Sequence, residues 1–118
     1  MVDDNFNIYF NTLANEIGVD LKHLPLLFSA LQVDTDRLFP LLEQAIFFKD
    51  FSTMHYYSDA LKGIIGNMHL YDIYEIITIM DYATILQNPT FLYQETLLIL
   101  KSQIELLIEK FYAFINEV

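Results

Sequence analysis

The chain reads as all-α: an up-down antiparallel four-helix bundle with one or two additional short N-terminal helices. Two observations predict this class. Hydrophobic residues make up 54% of the sequence, and along most of it they recur at spacings of three and four rather than in alternation. The chain also holds only 3 glycines and 3 prolines in 118 residues, so few positions punctuate the periodic segments. That length suits one domain, residues 1–118, with enough apolar surface to bury a core.

The first predicted helix spans residues 5–17. Phe6, Tyr9, Phe10, Leu13 and Ile17 share one side, and Gly18 is a natural stop. Asp20 is placed to cap a second helix running to about residue 32, with Pro25 tolerated near its start. Val33-Asp34-Thr35-Asp36 reads as a turn. A third helix then runs from about residue 35 to 49, with Leu38, Leu41, Leu42, Ala45, Ile46 and Phe48 on its apolar side. Pro40 lies one turn in, where it removes a backbone donor.

The helix over residues 51–68 is the informative one, with Asp50 or Ser52 as its cap. At about 100° per residue, Thr53, Met54, Tyr57, Ala60, Leu61, Ile64, Ile65 and Met68 form a core stripe. His55, Asp59, Lys62, Gly63 and Gly66 gather opposite. Each glycine costs a helix roughly 1 kcal/mol relative to alanine, so two on a solvated strip suggest close approach by another molecule. Residues 70–87 form a helix that is apolar on nearly every side, which makes it central or partner-facing. Asn88-Pro89 fits an N-cap followed by an N1 proline. The last helix is expected from about residue 90 to 116, with Leu97, Leu100, Ile104, Leu107, Phe111 and Phe114 forming a seam. Short connections between these helices imply antiparallel neighbours.

Composition narrows the function. The chain carries 16 acidic and 6 basic residues, a formal net charge of −10. Such a field repels phosphate backbones and disfavours nucleic-acid binding. With 0 cysteines, disulfides, thiolate catalysis and Cys-based metal sites are excluded. His23 and His69 have no partner at ligand spacing, and His55 with Asp59 would give only two ligands, so no metal and no cofactor are expected. The N-terminus lacks a basic region followed by an apolar run, and residues 73–86 carry Glu75 and Asp81 and are too short to span a bilayer. These features favour a soluble, acidic, cytoplasmic protein, a monomer or weak homodimer.

Ser58 to Leu70, SDALKGIIGNMHL, resembles the active helix of histidine-containing phosphotransfer (HPt) domains of two-component signalling. Leu61-Lys62-Gly63 matches the family's L-K-G, Asn67 its later Asn, and Met68 its Leu. Lys49-Asp50-Phe51 resembles the turn before that helix, and the helix order agrees over nearly the whole chain. The resemblance implies a four-helix bundle that presents an imidazole to a receiver domain. There the lysine offsets phosphate charge, the glycine admits the partner, and the receiver supplies Mg²⁺. One departure matters. The family's phosphorylated histidine lies three residues before the lysine, and here that residue is Asp59.

Three expectations follow. The first is a degenerate HPt-like module that docks a response-regulator receiver domain or a histidine kinase without carrying phosphate. Its docking residues would be His55, Tyr56, Asp59, Lys62, Gly63 and Gly66, with no catalytic residue. The second is an active phosphotransferase using His55, one turn displaced. The third is a helical assembly domain that dimerises through residues 70–86. Asp59 is expected to pair with Lys62 at i,i+3, and His55 with Asp59 at i,i+4.

Overall fold

The computed structural model describes residues 4–116. The described chain is all-helical, with five α-helices packed into one globule: α1 (Asp4–Ile17), α2 (Leu24–Phe47), α3 (Phe51–Asn67), α4 (Tyr71–Ile85) and α5 (Tyr93–Asn116). A single 3-10 turn, Leu21–His23, leads into α2. α2 packs on α3 and α5, and α4 packs on the same two helices, so α2 to α5 close a ring of contacts. α1 lies against α5. The two 24-residue helices, each about 36 Å long, set the long dimension of a 46 × 25 × 22 Å body.

The core follows from the spacing of buried positions. In α3 these are Met54, Ser58, Leu61 and Ile65; in α5 they include Leu97, Leu100, Ile104, Leu107, Phe111 and Phe114. Both series step by four and three, which keeps one stripe facing inward. The α1 end of the molecule is aromatic. Phe28 stacks on Phe111 at 4.1 Å between centroids, and Phe10 of α1 meets their edges at 5.8 and 5.3 Å. Phe10, Phe28 and Phe111 are fully buried, so α1 is part of the core rather than an appendage.

α2 corrects the predicted break. Val33-Asp34-Thr35-Asp36 is not a turn, and the expected second and third helices are one. The physical reason is periodicity that runs through the polar residues. Leu24, Phe28, Leu31, Thr35, Leu38, Leu42 and Ala45 are all buried, an unbroken four-three rhythm in which Thr35 takes a core position. Its hydroxyl donates to the Leu31 carbonyl at 2.9 Å, so burial leaves the hydroxyl satisfied. Pro40 stays inside α2 on the exposed side, where water can reach the carbonyl its missing N–H leaves free. Asp20 precedes the 3-10 turn and makes no side-chain capping bond there.

Three of the helix ends are built alike. Lys49, His69 and Gln87 have φ of 55°, 55° and 52°, the left-handed conformation of a helix C-terminal cap. In each case the next residue's N–H reaches back to a carbonyl of the last turn: Asp50 to Ala45 at 3.1 Å, Leu70 to Ile65 at 3.3 Å and Asn88 to Ala83 at 3.0 Å. Asp50 then caps α3 through its side chain, accepting from the Thr53 N–H at 3.2 Å and hydroxyl at 2.7 Å. Those bonds hold its carboxyl below the ordinary aspartate range. The last helix begins later than expected. Asn88 accepts from the Thr90 N–H at 3.0 Å, closing a local turn, and α5 starts at Tyr93.

Candidate functional site

α3 carries the residues singled out above, and its neighbour α4 completes them. The organising group is Asp81 of α4, only 1% exposed. One carboxylate oxygen lies 2.7 Å from His55 Nδ1, and the other accepts from the Lys62 ammonium at 3.1 Å. Thr84 supports the same turn, its hydroxyl donating to the Asp81 carbonyl at 2.6 Å. His55 and Lys62 are seven residues apart on α3, so two turns of one helix converge on one buried carboxylate. Bonding to Asp81, the largest cause, raises the Lys62 pKa above its ordinary value, and burial partly opposes it.

This geometry fixes the chemistry available to His55. A carboxylate that already holds an ammonium is an acceptor, so Nδ1 is the donor and bears the proton. In that tautomer Nε2 carries the lone pair. The His55 side chain is 44% exposed. The arrangement is therefore an oriented imidazole, anchored from beneath and open to solvent.

The expected His55–Asp59 pairing is corrected, while the expected Asp59–Lys62 ion pair is present beside a closer one. His55 bonds Asp81 across the helix pair, not Asp59 on its own helix. Lys62 lies 3.7 Å from Asp59 but 3.1 Å from Asp81, so its first partner is the buried carboxylate. Distance decides this, since 3.7 Å is too long for a good hydrogen bond. Asp59 is left 62% exposed.

Asp59, Lys62, Gly63, Gly66 and Asn67 line one open groove of about 470 Å³ with Tyr71 and Tyr74 of α4. His55 and Tyr56 lie outside that lining, and Tyr56 is 70% exposed. Leu61 and Met68, the other motif positions, are buried. The two glycines part company here. A Cβ at Gly66 would sit 3.1 Å from the Tyr74 ring, whereas one at Gly63 would meet nothing within 4 Å. Gly66 thus has an intramolecular reason and Gly63 has none.

Asp81, Tyr71, Tyr74 and Ser58 are the residues that sequence reasoning missed. Asp81 had a legible signal, because it falls eight residues after Ile73 and four after Ile77, on the buried stripe of α4. Ser58 occupies a core position of α3, and its buried hydroxyl has no hydrogen-bond partner among the described residues. No group of three or more metal-ligating side chains occurs among the described residues, and no helix among them is long and apolar enough to cross a membrane. No family model, curated protein or solved structure matches the chain.

Proposed function

We propose that this protein is an HPt-like binding module of two-component signalling that docks a response-regulator receiver domain or a histidine kinase through α3 and does not carry phosphate. The observation that carries the proposal is Gly63, a helix-interior glycine with open space over it beside an exposed carboxylate, Asp59, at the acceptor position. A residue that costs helix stability and fills no internal need is explained by a surface that must come close to another backbone. The ring of contacts among α2 to α5 supports an up-down antiparallel four-helix bundle, with α1 and the 3-10 turn as N-terminal additions. The test is calorimetric titration against receiver domains from the same cell. Gly63→Arg should abolish binding while circular dichroism stays unchanged. Wild-type affinity in that variant, or no binding by any receiver or kinase at high micromolar concentration, removes the proposal.

One observation favours a second reading, phosphoryl transfer at His55. The Asp81 contact leaves Nε2 as the nucleophile, free to take a phosphoryl group from an aspartyl-phosphate as the acyl–phosphate bond breaks. Incubation with a partner kinase, its receiver and radiolabelled ATP separates the readings. Acid-labile, base-stable label that disappears in His55→Ala supports transfer, and absence of label leaves docking alone.

A further inference from the structure

A second cavity lies between α1, the start of α4 and the middle of α5, and shares only Tyr71 with the α3 groove. Its volume is about 600 Å³, within the range of small-molecule sites. Leu13, Leu70, Ile73 and Leu107, all lining residues, are buried and form an apolar floor. Phe6, Tyr9 and Tyr71 supply aromatic surface above it.

Its charge is one-sided. Glu16 of α1 and Asp72 of α4 both line it, no lysine or arginine does, and the His69 ring in the lining is engaged with the Tyr71 hydroxyl at 2.7 Å. Both carboxylates lie close enough to the Tyr9 hydroxyl to add to the burial that raises its pKa. The two acids therefore bear on one aromatic ring from two helices. The aromatic cluster already attracts a cation within the fold: the Lys110 ammonium sits 5.8 Å from the Phe6 ring centroid, outside the cavity lining. An apolar floor, aromatic faces and two carboxylates with no lysine or arginine among the lining complement one chemistry.

We propose that this cavity binds an amphiphilic organic cation, a small ammonium compound whose apolar body lies on the Leu13–Leu107 floor and whose charge faces Glu16, Asp72 and Tyr9. The inference stands apart from docking at α3, because Asp59, Lys62 and Gly63 contribute nothing to this lining.

Amide-resolved NMR titration of the full chain tests it, with phenethylammonium as probe and 2-phenylethanol and 3-phenylpropionate as neutral and anionic matches. The ammonium should shift the amides of Leu13, Leu70 and Leu107 and bind about five-fold or more tighter than the alcohol, on the scale of a partly desolvated cation–π and coulombic contact. Glu16→Gln with Asp72→Asn should erase that preference. Glu75→Gln with Glu95→Gln, which removes equal charge elsewhere, should leave it. Thr12→Trp should fill the cavity and abolish binding with both carboxylates intact. Equal affinity for ammonium and alcohol, equal losses in the two charge-removed variants, or shifts confined to other surfaces would overturn the proposal.

Discussion

Two glycines and one aspartate show how single residues set the behaviour of α3. Gly63 faces open space, so Gly63→Ala recovers helix propensity without a clash. It should raise unfolding free energy by about 0.5–1 kcal/mol in denaturant titration. Gly66→Ala gains the same propensity but presses on the Tyr74 ring at 3.1 Å, so its gain should be smaller. Asp81→Asn keeps the volume and loses the charge that holds His55 and Lys62. Both partners can turn toward water, which limits the cost to about 1–2 kcal/mol, read as a lower thermal midpoint. The same residue contributes to alkaline stability through Lys62. Lys62 has its pKa raised in the folded state, chiefly by Asp81; burial raises Tyr93, and burial with Asp72 and Glu16 raises Tyr9. A raised folded pKa means the native chain holds its proton longer than the unfolded one. Stability is then full below the unfolded values near pH 10 and falls as pH rises through the folded ones. Unfolding measured from pH 9 to 12 should show this loss, and Asp81→Asn should shrink it.

At the scale of the element, three helices end on a residue that would be more at ease as glycine. Lys49 and Gln87 adopt φ of 55° and 52°, and Gln87→Gly or Lys49→Gly should each stabilise the fold by about 0.5–1 kcal/mol. His69 is less suitable for the exchange, because its ring is engaged with the Tyr71 hydroxyl at 2.7 Å. These ends also mark what sequence could and could not supply. The α3 boundaries were legible, since Asp50 is a strong cap and the core stripe is regular. The continuity of α2 was not, because Asp34, Thr35 and Asp36 have the composition of a turn. Only the rhythm from Leu31 through Thr35 to Leu38 keeps the helix going, and it required accepting a hydroxyl in the core. The late start of α5 was hidden for a related reason: Asn88 caps a local turn with the same chemistry that caps a helix.

The whole molecule is longer than a sphere of its size. Its Cα radius of gyration is 15.2 Å, against about 13.5 Å expected for a compact chain of this length. The aromatic end depends on Phe10, which touches Phe28, Phe111 and Phe114. Phe10→Ala should cost about 3–4 kcal/mol and unfold the chain in one transition rather than release α1 alone, seen as coincident fluorescence and far-ultraviolet signals. The helical class was readable from spacing alone. The pairing of α3 with α4 through Asp81 was not, because the residues concerned are 26 and 19 positions apart and only tertiary packing brings them together.

That pairing has a mechanical consequence. Two apolar helix faces tolerate small sliding, since one leucine resembles the next. A buried carboxylate bonded to His55 above and Lys62 below does not, because displacement along the axis strains both bonds together. Asp81 therefore acts as a locating pin between α3 and α4. A push delivered to the exposed strip of α3 should reach α4 through these two bonds, and Asp81→Asn should weaken that coupling.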